Sequence, residues 1–224
     1  MGRSHRSDVE GIIYHVLNRA NGRMTLFYKA ADFKAFERVL EEAKARYPIK
    51  IFSYQIMPNH WHLVVQPMKN GSLSKFIGWL TLTHTQRWNV NRHRIGYGHV
   101  YQGRFKSFPV KDDPYFIQLC RYVESNALRA GLVKRAEDWQ WSSLWRSIHG
   151  TEQGKQLLDS WPIKAGDDYL EQLNNKLIEE TIAGIRKSVK KSRPYGNDDW
   201  VQDIAKYLGL QSTLKKQGRQ FKGS

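Results

Sequence analysis

Apolar and polar positions along the 224-residue chain change period several times, and each change marks an element. Residues 11–18 (GIIYHVLN) are dense in β-branched and aromatic side chains and predict a strand. Residues 31–47 set Phe33, Phe36, Val39, Leu40, Ala43 and Tyr47 at helical spacing, and Pro48 ends the run. Residues 50–56 and 60–66 read as two strands, joined as a hairpin through Met57-Pro58-Asn59. Ser72 can open a helix that carries Leu73, Phe76, Ile77 and Leu80 on one stripe. Beyond a loop at Gly96-Tyr97-Gly98, residues 100–110 predict another strand. Asp112-Asp113-Pro114 then starts a helix, with acids at its positive end and proline in its first turn. That helix is expected to run to about Ala130, where Gly131 can supply a left-handed cap. The order β-α-β-β-α-β-α predicts an α+β fold, a ferredoxin-like antiparallel sheet with helices on one face. The other face of such a sheet would be free for nucleic acid.

The pattern loosens afterwards. Residues 138–150 (DWQWSSLWRSIHG) form a tryptophan-rich stretch that reads as packing to close a domain spanning 1–150. Residues 151–224 read as a helical C-terminal extension, with helices over 169–188 and 198–208 and a basic tail.

Charge sharpens the picture. The formal net charge is +15, and residues 1–150 hold 23 Lys and Arg against 11 Asp and Glu. Clustered cations suit a phosphate polymer or an anionic membrane. No apolar run is long enough to span a bilayer, and the opening Met-Gly-Arg-Ser-His-Arg-Ser lacks an apolar signal core, so no membrane partner is expected. The single cysteine, Cys120, excludes an internal disulfide framework and a multi-cysteine zinc site, which suits a reducing cytoplasm. Neither a nucleotide-binding glycine loop nor a Gly-x-Ser-x-Gly elbow is present, which argues against ATP-driven and acyl-transfer chemistry.

His60-Trp61-His62 carries the sharpest local chemistry. Residues two apart on a strand share a face, so the two imidazoles can converge on one divalent ion while Trp61, Leu63 and Val65 enter the core. Tyr122 and Asn126 are spaced i, i+4 and stack on one helical face. The Asn126 carbonyl can complete a metal site with His60 and His62, and the Tyr122 phenol can attack a phosphodiester held there. Gln102, Arg104 and Lys106 alternate onto one strand face and suit phosphate contacts. Arg19 and Arg23 follow the first strand as weaker contacts, and Arg129 extends the Tyr122 stripe. The tail adds Lys215, Lys216 and Arg219 as candidates for nucleic-acid contact. Tyr115 is a second possible nucleophile but lacks the amide one turn on. The competing reading is a non-catalytic module that binds structured DNA or RNA on the same sheet, and a water-using hydrolase is a further rival.

Five groups of residues resemble a known family in their order along the chain: Tyr14-His15-Val16 with Arg19; Met57-Pro58-Asn59-His60-Trp61-His62-Leu63; Gln102-Gly103-Arg104-Phe105-Lys106-Ser107; Arg121-Tyr122-Val123 with Asn126 and Arg129-Ala130-Gly131-Leu132-Val133; and Trp141-Ser142-Ser143. The series is similar to the REP-associated tyrosine transposases, relatives of the single-tyrosine HUH transposases. The resemblance implies a ferredoxin-like core and cleavage of single-stranded DNA near hairpins with Mg²⁺ or Mn²⁺, through a 5′-phosphotyrosine intermediate. It maps the HUH histidines onto His60 and His62, the nucleophile onto Tyr122 and a further ligand onto Asn126. One departure stands out: many members have Asn-Pro where this chain has Asn126-Ala127, and Glu124-Ser125 replaces a more apolar pair.

Overall fold

Alternation in the hairpin strands sets the architecture, because each strand can feed two different cores. The computed structural model describes residues 8–96 and 98–215. Its strands are β1 (Ile13–Arg19), β2 (Ile49–Met57), β3 (His60–Pro67) and β4 (Lys106–Val110). They form one antiparallel sheet in the order β2-β3-β1-β4 among the described residues. The helices are α1 (Ala30–Arg46), α2 (Ser72–Asn91), α3 (Pro114–Glu124), α4 (Asn126–Arg129), α5 (Ser143–His149), α6 (Glu152–Lys155), α7 (Tyr169–Asn174), α8 (Glu179–Lys191) and α9 (Asp198–Tyr207). The α+β class and the antiparallel sheet are as the sequence predicts.

One face of the sheet behaves as expected. Tyr14, Val16, Trp61, Leu63 and Val65 point into a core closed by Phe36 and Leu40 of α1 and by Phe76 and Leu80 of α2. Burying each such side chain contributes roughly 1.5–3 kcal/mol. Trp139 and Trp141 of the tryptophan-rich stretch pack on this core, Trp141 stacked on Phe33 at 4.8 Å.

The opposite face is not free. Val64, Phe52 and Phe108 pack under Phe116, Leu119 and Val123 of α3, joined by Leu177, Ile182, Ile185 and Tyr195 from beyond Gly150. The charge-poor stripe of α3 and the amphipathic α8 need an apolar partner, and the far side of the sheet supplies it. Residues after Gly150 thus enter this second core, while Leu157 enters the first.

Two elements are shorter than predicted. The strand expected over 100–110 holds only as Lys106–Val110, because Gly103 adopts φ 142° and turns the chain at Gln102–Arg104. Pro109 is tolerated because β4 is an edge strand. The helix expected to reach Ala130 is interrupted at Ser125, whose hydroxyl donates back to the Arg121 carbonyl at 2.5 Å. Such back-bonding competes with the helical ladder. The end of α4 is as predicted: Gly131 has φ 68°, and the Gly131 and Leu132 amides bond the Leu128 and Ala127 carbonyls. The helix expected over 169–188 divides into α7 and α8. Among the described residues no helix is long and apolar enough to cross a membrane.

Candidate functional site

The two-residue turn at Pro58-Asn59 pairs Met57 with His60 and so places His60 and His62 at the start of β3. Antiparallel register sets Arg19 of β1 opposite His60, and Leu17 opposite His62. The second-face packing of α3 brings Tyr122 over the same strands, its ring edge-on to His62 with centroids 6.3 Å apart. The kink at Ser125 does not separate Asn126 from the site, since its amide Nδ2 lies 3.1 Å from His62 Nε2.

Glu124 fixes the end of α3. Its carboxyl group accepts from Ser53 Oγ at 3.1 Å, Ser143 Oγ at 2.6 Å and Tyr169 Oη at 2.9 Å. Burial raises its pKa while these three donors oppose the shift. Glu124 therefore anchors α3 to β2, α5 and α7. Arg129 completes the support of the tyrosine. Its guanidinium lies 4.2 Å over the Tyr122 ring and donates to the Tyr122 carbonyl and to Ser125 Oγ.

His60, His62, Tyr122 and Asn126 line a single concavity of about 440 Å³. Five cations line it as well: Arg19, Lys106, Arg129, Arg186 and Lys190, with no acidic residue among its lining. A larger groove of about 1150 Å³ adjoins it, sharing Leu17, Arg19 and Lys106 and adding Gln102, Arg104 and Lys191. Gln102, Arg104 and Lys106 thus meet at the groove from a turn and a strand end, not from one strand face.

The remaining candidates lie elsewhere. Tyr115 packs edge-on against Tyr195, away from the histidines. Lys215 is exposed, and its carbonyl accepts from Lys191 Nζ at 3.1 Å. Lys216 and Arg219 lie outside the described residues. Sequence reasoning missed Arg186 and Lys190, although their i, i+4 spacing on α8 was visible, and it gave His15 no role of its own.

The electrostatics favour neutral imidazoles. Burial, together with the Arg19 guanidinium, lowers the His60 pKa to about 4. Burial is also the first cause for His62, whose pKa falls well below the usual range, with His60, His15, Arg129 and Arg19 adding to it. Hydrogen bonds then select which ring nitrogen is available. His60 Nδ1 lies 2.6 Å from Asn59 Oδ1 and must donate to it, which leaves Nε2 as a lone pair. His62 Nδ1 lies 2.9 Å from His15 Nε2, and its Nε2 faces Asn126. Two neutral imidazoles beside a side-chain amide suit a divalent cation that accepts mixed nitrogen and oxygen donors. Among the described residues there is no cluster of three or more His, Cys, Asp or Glu that could hold a metal.

A four-stranded antiparallel sheet thus brings a histidine pair, a tyrosine and an amide together in an acid-free cationic pocket. The chain belongs to the IS200-like transposase family, whose model matches residues 8–126, just over half of the sequence. It is 25% identical over 132 residues to a putative REP-associated tyrosine transposase of Haemophilus influenzae, covering 55% of this chain and 75% of that one. Its fold is similar to that of a REP-associated tyrosine transposase bound to a REP hairpin, with a TM-score of 0.56 at 15% identity over 80% of this chain and 99% of the other. A putative transposase of Deinococcus radiodurans aligns at a TM-score of 0.39 and 15% identity, over 55% and 96% of the two chains.

Proposed function

We propose that this chain cuts and rejoins single-stranded DNA beside hairpins, with Tyr122 as the nucleophile. One observation carries the reading: two segments some 60 residues apart bring His60, His62, Tyr122 and Asn126 into one pocket walled by five cations and no acid. The family membership supports DNA strand chemistry, and the neighbour solved with a REP hairpin supports a hairpin as the substrate to test.

His60 Nε2, His62 Nε2 and the Asn126 carbonyl would hold Mg²⁺ or Mn²⁺ once the Asn126 amide, whose Nδ2 lies 3.1 Å from His62 Nε2, turns its oxygen to the site. When bound, such an ion supplies Lewis-acid stabilisation of charge on phosphate oxygens. The chain's own groups do the rest. Arg19, whose Nε is buried and has no partner within the described structure, offers a guanidinium to a phosphate beside His60. Arg186 and Lys190 of α8 line the same pocket. Arg129 holds Tyr122 through its ring and carbonyl, which limits the approach of the phenol. Tyr122 Oη forms a bond to phosphorus as the bond to the 3′ oxygen breaks. The phenolic proton passes to solvent and the 3′ oxygen takes one up, leaving a 5′-phosphotyrosine and a free 3′ hydroxyl. The bond energy is kept in the adduct, so rejoining needs no nucleotide cofactor.

A denaturing gel tests this. Hairpin oligonucleotides with single-stranded flanks, incubated with the protein and Mn²⁺, should give a slow-migrating protein–DNA adduct that Tyr122→Phe abolishes. Cut DNA without an adduct, unaffected by that substitution, would assign the cleavage to water instead. Binding with no cut in any metal would leave a non-catalytic module.

A further inference from the structure

Behind His62 lies a second imidazole that takes no part in the pocket lining. His15 of β1 is fully buried, stands 2.9 Å from His62 Nδ1 through its Nε2, and has its ring within 26° of parallel to that of His62. Phe108 closes its other side at 4.9 Å between centroids. His15 Nδ1 is buried with no hydrogen-bond partner within the described structure. Filling this position with an imidazole is expensive, since an unmatched buried polar atom costs about 1–3 kcal/mol. A phenylalanine would pack beside Phe108 without that cost.

The contacts on either side of His62 restrict where its proton can be. Asn126 presents an amide nitrogen to His62 Nε2 at 3.1 Å, a contact that is a hydrogen bond only if Nε2 carries a lone pair. The proton of neutral His62 then sits on Nδ1, and the group within reach to accept it is His15 Nε2. The opposite arrangement would make His15 the donor and put the His62 proton on Nε2, which Asn126 could accept only by turning its amide so that Oδ1 replaces Nδ2. It would leave His15 Nδ1 unmatched just the same.

We propose that His15 is a positioning residue that holds His62 in the tautomer protonated on Nδ1 and so keeps the Nε2 lone pair directed at the pocket. The consequence for cation binding rests on the metal-site reading above; the tautomer itself does not. Partners of this kind behind a ligating histidine typically alter metal affinity by 10–100-fold. His15→Phe removes the acceptor and keeps the bulk. His15→Gln restores an acceptor, its Oε1 taking the place of Nε2.

Long-range ¹H–¹⁵N NMR of the metal-free protein at neutral pH reads the tautomer directly. His62 should be protonated on Nδ1 in the wild type and in His15→Gln, and should shift toward the Nε2-protonated form in His15→Phe. Titration with Mn²⁺ alone, followed by electron paramagnetic resonance, should show affinity 10–100-fold weaker in His15→Phe and within about threefold of wild type in His15→Gln. A thermal melt shows whether each variant is folded; should His15→Phe not fold, the wild-type tautomer and His15→Gln still decide. Wild-type His62 protonated on Nε2 would overturn the proposal, as would a folded His15→Phe with an unchanged tautomer or unchanged Mn²⁺ affinity. The expected tautomers in a wild type that takes up no Mn²⁺ would retain the role of His15 and refute the metal site.

Discussion

Replacing Arg186 and Lys190 with glutamine removes two of the seven cations that line the pocket and its adjoining groove, Arg19, Arg104, Lys106, Arg129 and Lys191 being the others. Each phosphate neutralised on a single strand contributes about −0.7 to the slope of log affinity against log salt. If all seven engage phosphates, the wild-type slope is about −5, and affinity falls roughly a thousandfold between 50 and 200 mM salt. The double variant should reduce the slope to about −3.5, a change of about 1.4. Fluorescence anisotropy of a labelled hairpin with a single-stranded flank measures this, in a Tyr122→Phe background without metal so that no cleavage intervenes. Lys34→Gln, an exposed cation on α1 away from both cavities, is the control and should leave the slope within experimental scatter. A double variant with an unaltered slope would mean that α8 does not touch the strand, and the pocket wall would need another purpose.

Three further outcomes test the fold and its electrostatics. Phe116→Ala should destabilise the protein by about 3–5 kcal/mol in urea unfolding, since Phe116 is fully buried on the face that the sequence left open; a loss below 1 kcal/mol would show that face to be loosely packed. Gly131→Ala should cost about 1–2 kcal/mol because the residue sits at φ 68°, and an unchanged melting curve would contradict the left-handed cap. Burial lowers the His84 pKa from 6.5 to about 3, so the unfolded chain binds the extra proton first as the pH drops. Stability is therefore complete above pH 6.5 and declines on acidification toward pH 3, by about 1.4 kcal/mol per pH unit for this one group. His84→Gln should flatten the stability profile between pH 6 and 5 by that amount, and a profile parallel to wild type would show that His84 does not titrate with folding.

Much of this arrangement was readable from residue order, and the failures have physical causes. Alternation in β3 correctly sent Trp61, Leu63 and Val65 to one core, because period two is a property of the strand itself. The same alternation could not say what covers Val64 and His62, since that depends on α3 and α8, segments distant in sequence. The i, i+4 relation of Tyr122 and Asn126 placed both in one pocket although the helix breaks between them at Ser125. The kink was hidden in a single hydroxyl that bonds the backbone, and helical periodicity does not register it. His15 escapes a search by ligand spacing, which looks along one strand, whereas its partner is on the neighbouring one.

The family match ends at residue 126, but the pocket does not. The groups proposed for the chemistry, His60, His62, Tyr122 and Asn126, all fall within the matched span, while three of the five cations, Arg129, Arg186 and Lys190, lie beyond it. Two of those three come from α8, which the second core holds against the sheet through Ile182 and Ile185. Loss of α8 would therefore do two kinds of damage: it would strip a wall of positive charge from the pocket and expose the apolar underside of α3. Hence the C-terminal segment has to be kept in any protein used to measure DNA binding. A fragment ending near Gly150 should aggregate or unfold before its affinity can be interpreted, and a fragment that stayed folded and bound DNA with the full salt slope would show that the wall contributes to neither.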